Sequence, residues 1–113
     1  MSNVTRTSPK TTVHTNVFVN PSASGDNQIV AAATGAKYRV LSVAVVTTAA
    51  NSVKFRSATT DISATFPLAA NGGFVLPFNE HGWFETASGE ALQVNLSAAT
   101  ATGVQIQYIK LQA

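Results

Sequence analysis

A chain of 113 residues holds one domain, because a chain this size buries about two-thirds of its unfolded surface and has too little apolar material for two cores. Apolar residues make up 45% and charged residues 11%, against roughly 25% charge in ordinary soluble domains, and small uncharged residues take the missing share. Charge depletion of this kind suits a surface packed against copies of itself or a partner, while the absence of cysteine excludes disulfides, thiolate metal sites and a thiol nucleophile. The formal charge of +2 is thinly spread. Lys37, Arg39, Lys54, Arg56 and Lys110 fall in different segments, which argues against the clustered basic face of a nucleic-acid binder. Residues 1–10 lack the apolar core of a secretory signal, and no later run approaches the roughly 18 apolar residues of a membrane span. A soluble product of the cytoplasm is expected.

Residues 1–12 are rich in Ser and Thr, with Pro9 and only Val4 as a sizeable apolar group, and read as a flexible arm. A single β-sandwich domain is expected over residues 13–113. No window repeats apolar residues at helical spacing for more than two turns, whereas short alternating runs separated by turn residues recur along the chain. The first run, residues 13–19, ends at Asn20-Pro21, since proline donates nothing to a ladder. After Ser24-Gly25-Asp26 comes a run over 28–32, and Thr34-Gly35 turns the chain. Residues 37–47 form the longest expected strand, apolar on both parities: Leu41, Val43 and Val45 on one, Val40, Ala44 and Val46 on the other. A strand of that kind needs cover on both faces, and a neighbouring subunit is one candidate for the second.

Val53 and Phe55 alternate with Lys54 and Arg56, giving a half-buried strand with a basic outer side. Ile62, Ala64, Phe66 and Leu68 form the next inward set, and residues 73–77 follow. Asn71-Gly72-Gly73 has the chemistry of a type I′ hairpin turn, in which both central residues need positive φ. Leu92, Val94 and Leu96 alternate cleanly with Gln93, Asn95 and Ser97. Val104, Ile106 and Tyr108 do the same before the pattern changes parity at Ile109 and Leu111, which suggests a bulge or an intersubunit contact. Three connections, at residues 48–51, 68–72 and 97–100, share an Ala-Ala core and read as hairpins. About eight strands result, and a jelly roll fits them, with an immunoglobulin-like sandwich as its rival.

Chemistry-bearing residues are few: His14, His81, Asp26, Asp61, Glu80, Glu85 and Glu90. None shows metal-ligand spacing, and Glu80-His81 would meet at one ion only in a turn. Glu80 and Glu85 bracket an aromatic corner and invite comparison with a glycosidase carboxylate pair, but a small sandwich seldom offers a sugar-sized cleft. No nucleophile elbow, phosphate loop or dinucleotide fingerprint is present, so no enzyme and no cofactor is expected. Phe74, Phe78, Trp83 and Phe84 are expected in the core or at a subunit interface; the competing use is a sugar-stacking platform.

Residues 68–91, with Lys37-Tyr38-Arg39-Val40-Leu41-Ser42 before them and Leu92-Gln93-Val94-Asn95-Leu96-Ser97 after them, resemble small virion proteins of tailed bacteriophages. They are especially similar to jelly-roll decoration, or cement, proteins of the capsid. The resemblance covers roughly residues 37–108, and its most specific parts are 68–77 and 82–92. It implies a homotrimer seated at three-fold and quasi-three-fold positions on the outside of the phage head, made in the bacterial cytoplasm and bound to the major capsid protein. No nucleic acid, membrane or small-molecule substrate is implied. Under it, Arg6, Pro9 and Lys10 belong to a capsid-contacting arm, and Val40, Ala44, Val46, Phe74, Phe78, Trp83 and Phe84 to the core or the subunit interface. The alternative is a neck, tail or fibre component that recognises a host glycan.

Overall fold

The computed structural model describes residues 13–112 as an all-β sandwich. Its ten strands are β1 (Thr15–Val19), β2 (Gly25–Val30), β3 (Ala36–Thr47), β4 (Asn51–Ser57), β5 (Thr60–Asp61), β6 (Phe66–Leu68), β7 (Gly73–Leu76), β8 (Phe84–Glu85), β9 (Leu92–Leu96) and β10 (Thr102–Gln112). Sheet A runs β1-β10-β3-β7, with β8 also beside β3, and sheet B runs β2-β9-β4-β5, with β6 also beside β4. β7 and β8 share one side of β3, and β5 and β6 share one side of β4, so the strands fill four positions in each sheet. All pairs are antiparallel. The chain crosses between the sheets at every connection except those within β4–β6 and β7–β8, and the order is that of a jelly roll. Residues 1–12, and with them Arg6, Pro9 and Lys10, lie outside the described residues.

The core is the row of inward side chains that alternation demands. Val43, Val45, Val104 and Ile106 from sheet A meet Val53, Phe55, Leu92, Val94 and Leu96 from sheet B, all nearly or wholly buried. Burying each Val, Leu or Phe contributes about 1.5–3 kcal/mol, so β3, β4, β9 and β10 hold the domain together.

The faces of β3 differ from those expected. Ser42 pairs with Gln107 and Val40 with Tyr108, which leaves Leu41 as an extra residue in β3. The bulge changes the strand's parity. Val40 therefore points inward with Val43 and Val45, and Leu41 points outward with Ala44 and Val46. The irregularity foreseen in β10 is real, but β3 carries the extra residue. Ile109 is buried although it faces outward, because it shares a patch with Leu41 that Phe78 and the chain after it cover.

The three Ala-Ala connections are also not hairpins. Each passes from one sheet to the other: β3 to β4, β6 to β7, and β9 to β10. They meet in a polar clamp built on the buried Thr47, Asn51 and Thr102. The Asn51 Oδ1 accepts from the Ala98 N–H at 3.0 Å and the Ser97 hydroxyl at 3.1 Å, and its Nδ2 donates to Thr102 Oγ1 at 3.3 Å. Of Asn71-Gly72-Gly73 only Asn71 takes a positive φ, at 60°, and Gly72 N–H donates to the Ala69 carbonyl at 2.9 Å. That places Asn71 third in the turn, the pattern of type II rather than type I′. Gly73 is needed for closeness instead: a Cβ there would stand 2.1 Å from the Val45 carbonyl oxygen.

Candidate interaction face

Jelly-roll strands leave two outer faces, and here they differ in chemistry. On sheet B the outward residues of β2, β4, β5 and β9 pair their own charges. Arg56 meets Asp26 and Asp61 at 3.0 Å each, Lys54 meets Asp61 at 3.2 Å, and Asn95 Nδ2 donates to Asp26 at 2.8 Å. Arg56 also donates to the Thr59 carbonyl. Exposed pairs of this kind add at most about 1 kcal/mol each, but they leave a hydrated surface with its charges satisfied.

The outer face of sheet A carries none of this in its centre. One row runs Phe18, Gln105, Ala44, Val75 across all four positions, and the flanking rows are Gly103-Val46-Gly73 and Asn16-Gln107-Ser42. No ionisable side chain stands in any of the three. Phe18 is 72% exposed, Val75 68%, Val46 58% and Phe78 54%, so large apolar groups face water on one side of one sheet. Between them lie two shallow hollows of about 280 and 300 Å³, one around Ala44, Val46 and Phe18, the other around Ala44, Val75 and Phe78. Their openness to solvent suits them to knobs of another protein surface rather than to an enclosed small molecule.

Among the described residues, charge returns towards the start of β3, where Glu85 of β8 bridges Lys37 at 3.2 Å and Arg39 at 3.4 Å. There the Phe78 ring lies 5.8 Å from His14, and Asn79 N–H donates to the Leu41 carbonyl at 3.0 Å. Gly82 closes the following turn with φ at 82° and sits so near Arg39 that a Cβ would fall 2.4 Å from its Cγ.

The expected site residues separate into three groups. Val40 is core, Phe84 stacks on Phe55 at 5.1 Å, and Phe74 packs on Phe66 at 4.4 Å. Ala44, Val46 and Phe78 belong to the outer face. Trp83 belongs to neither: it is 42% exposed at the sandwich margin, its Nε1 donating to the Pro77 carbonyl at 2.7 Å. The ring lines an apolar cleft of about 410 Å³ with Ile62, Phe66 and Leu76. Phe18, Val75, Gln105 and Gln107 complete the face and escaped the sequence reading. Their signal was present in Val17-Phe18-Val19 and Phe74-Val75-Leu76, where an apolar residue occupies the parity that should be polar.

Acid and base candidates do not converge. Glu85 is held by two cations, and Glu90 accepts from the Ser57 hydroxyl at 2.5 Å. Glu80 and His81 are exposed in the loop between β7 and β8. Among the described residues no three of His, Asp and Glu are grouped to hold a metal ion.

No protein-family model matches the chain, and no curated protein matches it. A solved structure shares its fold, and two others align with it at lower scores. A subunit of the disulfide-linked pili of Bacillus endospore appendages is similar over 98% of both chains, with a TM-score of 0.51 and 15% identity. A virus-like particle protein of the extra small virus of the giant freshwater prawn Macrobrachium rosenbergii aligns over 97% of this chain and 85% of its own, with a TM-score of 0.45 and 10% identity. The C-terminal domain of the sugar-binding protein EclA aligns over 90% of this chain and 79% of its own, with a TM-score of 0.42 and 19% identity. At 15% identity the likeness to the pilus subunit is one of fold.

Proposed function

We propose that this chain is a structural virion protein, a capsid decoration protein that binds the major capsid lattice as a homotrimer on the outside of a phage head. The carrying observation is the contrast between the two outer faces, one with its charges paired for water, the other uncharged in its central rows and studded with exposed Phe18, Val46 and Val75. A fold of this class serves many functions, so the face and not the jelly roll supports the reading. The face would pack between subunits without stranding a buried charge, and residues 1–12, with Arg6, Pro9 and Lys10, would touch the capsid. Three weak attachments on one trimer sum by effective concentration into a firm clamp. No catalytic step and no cofactor enters this role. The disulfide linkage of the endospore pilus can have no counterpart here, since the chain lacks cysteine.

The test is reconstitution. Purified chain added to capsids that lack it should saturate at a fixed ratio to the major capsid protein and raise their resistance to heat, and loss of residues 2–12 should weaken that binding. Binding that neither saturates nor stabilises the heads would reject the role.

The half-exposed Trp83 favours a second reading, a neck, tail or fibre component that stacks a host glycan on its ring. Against it, the indole N–H is already spent on Pro77, and the Ser63 hydroxyl in the adjoining cleft donates to Ala64 and accepts from Phe55 N–H. Sugar recognition needs polar groups free to converge. A shift of Trp83 fluorescence on adding host polysaccharide would favour this second reading.

A further inference from the structure

The two sheets end in four lateral edges, and three of them are defended against a further strand. β5 and β6 are two and three residues long and carry Asp61 and Pro67. β7 and β8 are four and two residues long, with Pro77 directly after β7. β2 carries Asp26, and its register breaks after Gln28, where Ile29 is the extra residue. β1 has no such device. Its five residues, Thr15-Asn16-Val17-Phe18-Val19, hold unbroken register with β10 and contain no charge, no proline and no bulge. Among the described residues no strand pairs with its outer edge, while Phe18 beside that edge is 72% exposed. An open edge of this kind presents backbone N–H and C=O groups ready to receive a strand.

We propose that β1 pairs, antiparallel, with β1 of a second copy, so that two copies of sheet A become one continuous sheet about a two-fold axis. The occupant follows from charge and from the other edges. A strand without ionised groups can lie against itself with no like charges opposed, whereas the remaining edges of a second copy are short, kinked or charged. Two-fold contacts are also self-complementary, each strand supplying the groups the other lacks. Pairing centred on Val17 sets Phe18 of each copy opposite Asn16 of the other and carries the uncharged outer face across the junction. The contact goes beyond the capsid role and needs neither a capsid nor a three-fold. If a three-fold contact also exists, two-fold and three-fold contacts together generate a net over a shell.

The experiment uses the full chain in solution, with sedimentation for stoichiometry and residue-resolved amide exchange at high and low concentration. Pairing through β1 gives an even number of copies, and alternate amides of residues 15–19 exchange about tenfold or more slowly in the associated protein. Phe18→Lys and, separately, Asn16→Lys place like charges across the junction. Each should weaken association about tenfold or more while leaving the unfolding midpoint near that of the parent, because both side chains point to solvent. A protein that is monomeric or purely trimeric overturns the inference, as does association that both variants leave unchanged. Edge amides protected at every concentration, and released by deleting residues 2–12, overturn it too, since the chain's own first residues would then cover the edge. Capsid reconstitution fails or succeeds independently of these readouts, so the two proposals are judged apart.

Discussion

Phe18 and Val75 stand at the two ends of one row across sheet A, joined through Gln105 and Ala44. Both are more than two-thirds exposed, at 72% and 68%. Two large apolar groups that frame a small uncharged centre make a surface with little reason to face water and good reason to face protein.

Val46→Glu and Val75→Glu, on that surface, should therefore separate stability from assembly. Because neither side chain supports the core, thermal unfolding of the unassembled variants should stay within about 0.5 kcal/mol of the parent. A charge in a desolvated contact has no partner, so self-association or capsid binding should weaken at least about tenfold. Calorimetry beside sedimentation reads both.

Asn51→Ala should be among the costliest polar changes. It strands the Ala98 N–H, which Asn51 accepts at 3.0 Å, and removes a donor to Thr102 at the clamped end of the sandwich. A loss of about 2–3 kcal/mol is expected, measured as a lower urea midpoint with the slope unchanged.

Trp83→Ala should cost about 1–2 kcal/mol, covering one hydrogen bond and a partly buried ring. Phe55→Ala, at a fully buried position that stacks on Phe84, should cost about 3–5 kcal/mol. Equal urea midpoints for the two variants would contradict this ordering.

The strands most legible in the sequence were those with one dry and one wet side. Leu92, Val94 and Leu96, and likewise Val53 and Phe55, announced themselves by strict alternation, and these residues form the centre of the core. The bulge at Leu41 was hidden because Leu41 and the preceding Val40 are both apolar, so either could be read as the inward residue and the change of parity leaves little mark on the pattern. Nor do small residues at a turn say whether the next strand joins the same sheet, which is why the Ala-Ala connections read as hairpins. Trp83 read as core or subunit interface from its size; within the single chain it is not core, because the bond from its indole to Pro77 holds it at the margin. The outer face was legible in part through Ala44 and Val46, while Phe18 and Val75 depend on a register that only the folded sheets supply.

Alkaline stability should depend on Tyr108. Burial pushes its phenol above the ordinary value of 10.0, Tyr38 adds to the rise, and a hydrogen bond with Thr15 opposes it. The unfolded chain then ionises first, so the stability is fully present below about pH 10 and is lost as pH rises through the folded pKa. Urea midpoints followed upward from about pH 8 should fall more steeply for the parent than for Tyr108→Phe. Parallel curves would contradict the assignment.

The capsid role is tested most directly by counting copies of this chain per purified virion against the major capsid protein, by quantitative mass spectrometry. A decoration protein is present in hundreds of copies, near one-to-one with the capsid subunit or a simple fraction of it. A handful to a few dozen copies would place it in the neck, tail or fibre, and its absence from the particle would contradict a structural role in the virion.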